Sequence, residues 1–429
     1  MEPDGNRTVL ADLEERLEAL GARFGYSHGQ EARGMSKYMY EILDRLIAFD
    51  TVSSKSDVAA AGFLAERFAS HRFKTDLHMV EVNGTQQANL IAWAGPPRAD
   101  GLIISGHVDT VPFEGQPGWT REPLKMAIEG ARVYGRGVTD MKGFIAQSLE
   151  AVSSLEIDKL RRPLVFIWTS DEEVGSLGAK DVSGALGAIL GDTPAPRMVW
   201  IGEPTSWAVL HAHKSIAIFE VRVGGIGGHS GNPERGVNAI AVAGRVIEAI
   251  GQVQAERCAV PSASFASIFP DSPYDVLNFG TIKGGIALNI IAEECRIGIT
   301  YRSLPDVEPL EIYHEIKRRL AALDLHDYAS RNHRATIEVG EPMLVPPLLS
   351  ERGTTLERAL LEATGTSNVG GALFSTDGGW FSRAGLVSLI CGPGELAQAH
   401  QPNESIGRAA LEEGPARIKK VIEKLCFSQ

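Results

Sequence analysis

The sequence predicts an α/β protein with a larger domain on a twisted, mostly parallel sheet and a smaller inserted α+β domain. Apolar strand-like runs alternate with helical stretches from Lys37 onward, the pattern of a parallel sheet with crossover helices. In the middle third the text changes to antiparallel-type strands and two helices. The apolar run Leu386–Cys391 then returns the chain to the first pattern. A length of 429 residues also suits two domains better than one.

Residues 8–24 carry Leu10, Leu13, Leu17 and Leu20 at helical spacing with Glu and Arg between them, which predicts an amphipathic helix in an N-terminal arm over 1–35. The larger domain is expected over 36–212 and 336–429. Its strands are read at Asn89–Trp93, Leu102–Ser105, Leu164–Thr169, Met198–Ile201 and Leu386–Cys391, with helices at Val58–His71, Gly143–Leu155 and Ala179–Ile189. The insertion is expected over 213–335. Ser215–Val223 alternates like a half-buried strand, Leu277–Thr281 and Cys295–Arg302 read as further strands, and Val237–Gln254 and Val307–Leu323 read as helices.

Composition excludes several classes. The formal net charge of -12 argues against nucleic acid as a partner. No run approaches the roughly eighteen apolar residues of a membrane span. Met1-Glu2-Pro3-Asp4 lacks a secretory layout, and Cys258, Cys295, Cys391 and Cys426 are scattered without a C-x-x-C pair. A reducing, cytoplasmic setting is expected. No G-x-G-x-x-G, P-loop or G-x-S-x-G occurs, so dinucleotide, nucleoside triphosphate and serine-hydrolase chemistry lack their signatures.

Chemistry enters through the placement of acidic and imidazole side chains. His107 and Asp109 follow one apolar run; Asp171, Glu172 and Glu173 follow a second; Glu203 follows a third; His400 lies after the last. Ligands bind at the carboxyl ends of strands in open α/β sheets, so four strands would deliver these groups to one edge. Asp140 ends a Gly-rich turn, Tyr134-Gly135-Arg136-Gly137-Val138-Thr139-Asp140. Any one of these residues alone would more often be an ordinary surface group. Together, crowded carboxylates need a compensating charge, and mixed imidazole and carboxylate donors suit zinc, cobalt or manganese. Two histidines with three or more carboxylates exceed one tetrahedral shell, which predicts two divalent ions.

These residues resemble the motifs of the M20 metallopeptidases and deacylases. Ser105-Gly106-His107-Val108-Asp109, Gly135-Arg136-Gly137-Val138-Thr139-Asp140-Met141-Lys142-Gly143, Asp171-Glu172-Glu173, Gly202-Glu203-Pro204-Thr205 and Ala399-His400-Gln401-Pro402 occur in the family's order, and the match runs from about residue 38 onward. The resemblance implies a zinc-peptidase-like catalytic domain with an inserted lid and dimerisation domain. It implies that His107, Asp140 and Glu203 hold one metal, and Asp140, Glu173 and His400 the other. Asp109 would orient His107, Glu172 would be the general base, and the Asp140–Met141 peptide would be cis. His229, in Gly227-Gly228-His229-Ser230, would complete the site across a homodimer interface. Asn289 and Arg302 would hold the substrate carboxylate, and Gly392 and Gly394 would expose backbone N–H groups to substrate.

Within the family, Asp140-Met141-Lys142-Gly143-Phe144 and Cys391-Gly392-Pro393-Gly394 resemble the acetylornithine deacetylases. That implies hydrolysis of a small N-acyl amino acid, first among them N-acetyl-L-ornithine. Thr376-Asp377-Gly378-Gly379 departs from the Thr-Glu-Ala-Gly expected in that branch, and Ala292 stands where a proline is usual. A succinyl-diaminopimelate-type desuccinylase, a dipeptidase or carboxypeptidase, and a non-catalytic metal-binding homologue therefore stay open. His211-Ala212-His213 would share a strand face as metal ligands do, yet its place at the domain junction points to a hinge strand. Cys391 has no neighbour in sequence that would activate a thiolate.

Overall fold

The computed structural model describes residues 36–328 and 334–428; the arm expected over 1–35, with its helix, lies outside them. Helix α1 (Lys37–Ala48) starts where the Ser36 side chain accepts from the Met39 N–H. It buries Met39, Ile42, Leu43, Leu46 and Ile47, the apolar stripe of an amphipathic helix. After α2 (Val58–Ser70) the chain enters the larger sheet through β1 (Lys74–Val82), β2 (Thr85–Ala94), β3 (Leu102–His107), β4 (Leu164–Thr169), β5 (Met198–Ile201) and β6 (Val209–His213). Val387–Ile390 joins it late in the chain.

At the centre, β4, β3, β5 and Val387–Ile390 lie side by side and parallel. Outside them β2 runs antiparallel to β4, and β1 to β2. The sheet is thus mixed: its central parallel strands carry the expected site, and Val369–Ala372 adds a further parallel pair with β6. Every residue of β3 and β4 is buried, because helices cover both faces. Phe166 and Trp168 pack on one side with Leu43, Phe144, Leu411 and Ile418; Val165 and Ile167 pack on the other with Val182, Leu186 and Phe381. Helix α3 (Gly143–Ser153) belongs to the first layer and α4 (Leu177–Leu190) to the second.

The inserted unit has its own antiparallel sheet, in which β7 (Ile216–Gly224) pairs with β9 (Glu294–Arg302) and β9 with β8 (Val276–Gly284). Ala217, Phe219, Val221 and Val223 of β7 are buried and alternate with residues facing outward. Helices α5 (Ala239–Cys258) and α6 (Glu311–Ala321) supply Val242, Val246, Ile312 and Ile316 to the same core. Two strands extend this sheet past the expected boundary at 335: Thr336–Val339 and Met343–Val345 both pair with β7. The sequence reading ended the insertion too early because these strands are short and lack a long apolar run. At the junction, β6 carries His211 and His213 in a structural role. His211 Nδ1 lies 3.0 Å from Ser350 O, and His213 Nδ1 lies 2.8 Å from Lys214 O. Burial pushes the His213 imidazole down to about 4, which keeps it neutral.

Candidate active site

Because the central strands are parallel, their carboxyl ends share one edge, and the loops leaving them converge there. His107 closes β3 and is buried; its Nε2 lies 3.1 Å from Asp140 Oδ1 and 3.8 Å from Glu203 Oε1. The second Asp140 oxygen lies 3.2 Å from His400 Nε2, which is also 3.0 Å from Glu173 Oε2. Asp140 thus turns one oxygen toward each histidine. One ligand atom from each of His107, Asp140 and Glu173 falls within 4.8 Å of the others. The Asp140–Met141 peptide is cis.

Asp109 holds His107 chiefly through its main chain: His107 Nδ1 is 3.0 Å from the Asp109 carbonyl oxygen and 3.5 Å from the carboxylate. The carboxylate itself accepts from the Glu172 and Glu173 N–H groups at 3.0 and 3.2 Å and from the Ser53 hydroxyl at 2.7 Å. The carboxylate therefore fixes the turn that presents the two glutamates, while the Asp109 carbonyl orients the imidazole.

The residues from the insertion lie outside this set of contacts. His229 and Asn289 are exposed and adjacent, with the Ser230 N–H donating to Asn289 O at 3.0 Å. Arg302 is half-buried at the domain junction, where Nη1 donates to Ser375 Oγ at 3.3 Å. One expectation needs correction. The Gly392 N–H is not free for substrate, since it donates to Thr205 Oγ1 at 3.1 Å. Glycine is required there for packing instead, because a Cβ would overlap the carbonyl oxygens of Gly202 and Glu203. Gly394 is buried beside it, in the left-handed region at φ +78°.

The family profile described as Peptidase family M20/M25/M40 matches residues 103–424. The chain belongs to the M20 family. Acetylornithine deacetylase from Buchnera aphidicola subsp. Acyrthosiphon pisum (strain Tuc7) is 30% identical over 396 residues, covering 90% of this chain and 98% of that protein. The M20 metallo-carboxypeptidase Sso-CP2 from Sulfolobus solfataricus shares the fold with a TM-score of 0.75 at 17% identity, covering 91% of this chain and 99% of its own. A Bacillus subtilis protein described as a dinuclear metal binding peptidase from the M20 family has a TM-score of 0.57 at 15% identity, covering 90% of this chain and 97% of its own. This M20 protein is a metal-dependent amidohydrolase.

The electrostatics of the M20 site fit divalent cations. Burial first, and neighbouring carboxylates second, push Glu203 and Glu173 above the usual carboxylate range. Burial likewise holds Glu172 well above it, against the opposing pull of His107. Asp140 goes the other way: burial opposes its charge, but His107 and His400 outweigh burial and keep it ionised. Burial also opposes a charged His107, yet Asp109 and Asp140 overcome it. His400 is drawn up to about 10 by Asp140 and Glu173. Such a cluster binds protons in place of a compensating charge, and its nitrogen and oxygen donors are those that zinc, cobalt or manganese take.

Two buried carboxylates beside this M20 site escaped the sequence reading as functional groups. Asp377 accepts from Thr169 Oγ1 at 2.5 Å and is buried, with the Ser176 side chain also interacting with it. Burial raises it to about 6. Its only signal was the departure at Thr376-Asp377-Gly378-Gly379. Glu404 lies buried under the Asp140 loop; in sequence it looks like any loop glutamate.

Proposed function

We propose that this enzyme removes the acyl group from a small N-acylated amino acid, with N-acetyl-L-ornithine as the first substrate. The observation that carries the reading is Asp140 standing between His107 and His400, with Glu203 and Glu173 on its flanks. His107, Asp140 and Glu203 would hold one divalent ion, and Asp140, Glu173 and His400 the other, with zinc the leading candidate. Bound there, two such ions would supply Lewis acidity to the scissile carbonyl and acidify a water. Glu172 takes the proton of the attacking water and delivers it to the leaving amine. Arg302 has the fork geometry to grip a substrate carboxylate at the domain junction, where its Nη1 donates to Ser375 Oγ.

His229 and Asn289 act in this reading on the site of a second copy. The segment from Thr281 to Ile290 is exposed throughout and includes Ile282, Ile286, Leu288 and Ile290, with Ile240 against Gly284 and Gly285. It continues from β8, the edge strand of the inserted sheet. An apolar, unpaired edge of this kind suits a two-fold interface, and oligomers of identical chains are most often two-fold. Across it, His229 would donate to the oxyanion of the tetrahedral intermediate. Four free cysteines, three of them buried, fit a reducing cytoplasm, and among the described residues no helix is long and apolar enough to cross a membrane.

The test is hydrolysis of N-acetyl-L-ornithine by chelator-stripped protein before and after zinc or cobalt is added. Metal-restored turnover is expected. Protein that binds two ions yet leaves this substrate intact, while cleaving N-succinyl-diaminopimelate or a dipeptide, would overturn the acetyl assignment and keep the two-ion chemistry.

A further inference from the structure

The loop that carries Asp140 hangs on a single buried carboxylate. Glu404 Oε1 accepts from the Thr139 and Asp140 N–H groups at 2.9 and 3.1 Å, and Oε2 accepts from the Gly137 N–H and from Arg136 Nη1, both at 2.9 Å. Both side chains of the Arg136–Glu404 pair are 1% exposed. Arg136 continues outward: Nη2 donates to Gln116 Oε1 at 2.6 Å, and the guanidinium lies over the Trp119 ring. The Trp119 indole N–H donates to the same Gln116 oxygen at 2.9 Å. Gln116 Nε2 then donates to the carbonyl oxygen of His400 at 2.7 Å. A continuous set of bonds therefore runs from the backbone of Asp140 to the backbone of His400.

We propose that Glu404, Arg136 and Gln116 are positioning residues that set the separation of Asp140 from His400, and with it the affinity for the ion these two residues share. The proposal rests on the two-ion reading of the site and on no choice of substrate. The loop needs an external acceptor for a geometric reason. Gly137 is left-handed at φ +80°, and Asp140 sits at φ -123°, ψ 90°, so this turn does not continue as a helix whose carbonyls would take these N–H groups. A carboxylate offers two oxygens and accepts on both, which matches three N–H groups and a guanidinium. An amide at the same place turns an NH2 toward donors and leaves the buried Arg136 without its counter-charge. Gln116 performs the parallel task for His400, whose own backbone is left-handed at φ +61°.

The experiment is a stepwise zinc titration of chelator-stripped protein in competition with a chromophoric chelator, with the visible absorption of the cobalt-loaded protein as a second readout. In Glu404→Gln one of the two binding steps should loosen by about 10–100-fold, the loss typical when a partner behind a metal ligand is removed. The step assigned to His107 and Glu203, which also draws on Asp140, should loosen by clearly less, and the cobalt spectrum should lose intensity or shift. Gln116→Ala, which leaves the Glu404 cradle whole, should move the same step in the same direction by less, and it decides the matter if Glu404→Gln does not fold. Unchanged binding steps in Gln116→Ala, or an equal loss in both steps of Glu404→Gln, would overturn the relay as a device for one ion. An unaltered protein that binds only one ion would overturn both the two-ion reading and the relay, and this is seen before any variant is compared.

Discussion

At the sheet edge of the larger domain, His107, Asp140, Glu173 and His400 meet at 3.0–3.2 Å, and the groups behind them are themselves hydrogen-bonded. On the inserted domain, His229 and Asn289 stand exposed at the end of an apolar edge; the bond to the His229 ring comes from the N–H of Gly231, in its own turn. One region is assembled by its own chain down to the orientation of each imidazole. The other presents reactive groups to solvent from a surface that one copy leaves open. In the first region the side chains are cross-linked within one chain, and His107, Asp140 and Glu203 are buried while His400 remains exposed; in the second, exposed groups stand beside unpaired apolar surface, which the proposed second copy would cover.

The largest expected effect breaks the first region. Glu172→Gln should lower kcat by about 10³-fold while two ions stay bound, because it removes only the proton acceptor. His229→Ala should cost about 10²–10³-fold through loss of an oxyanion donor. The two inactive proteins mixed under conditions of subunit exchange should then recover part of the activity, since each hybrid holds one site with both groups intact. Exchange shown by mass spectrometry without any recovered turnover would place His229 outside the partner's site.

A smaller effect sharpens the account of the first region through pH. His400 is drawn up to about 10 by Asp140 and Glu173 in the metal-free protein, so at neutral pH it carries a proton that a dication must displace. The sign follows: affinity rises with pH below that value and levels off above it. For each proton released the gain is about tenfold per pH unit. Zinc competition titrations at about pH 6 and about pH 8 in matched ionic strength measure it. Equal affinity at both would mean that His400 is not displaced from a protonated state on binding.

Most of the larger domain was legible because its central strands are buried on both faces and spell uninterrupted apolar runs, as in Leu164–Thr169 and Met198–Ile201. The site was legible for a related reason, since the residue types that bear chemistry follow those runs directly. What escaped lay where local text is weak. β1 exposes or half-exposes all its residues and pairs on one side with β2 alone, so it carries no run to find. Thr336–Val339 and Met343–Val345 are too short to announce the end of the insertion. Glu404 earns its burial from four donors that only the folded Gly-rich turn brings together. Gly392 misled because glycine permits either an open N–H or a close backbone approach, and sequence does not distinguish them.

The smallest effect on the chain itself tests the second region most directly. Leu288 is fully exposed in the single copy, so Leu288→Glu should change the unfolding free energy of the isolated subunit by no more than about 0.5 kcal/mol. If the Thr281–Ile290 edge is the two-fold contact, the same substitution puts a carboxylate from each copy into one apolar interface, where desolvation and like charge both oppose association. Sedimentation should then show a shift toward monomer, and turnover should fall along with the dimer fraction toward the level of His229→Ala. A dimer that persists with full turnover would move the interface elsewhere on the molecule. A monomer that keeps full turnover would be more informative still, because His229 would then have to reach the metals of its own chain by closure of the inserted domain, and the contrast between the two regions would be one of conformation rather than of subunits.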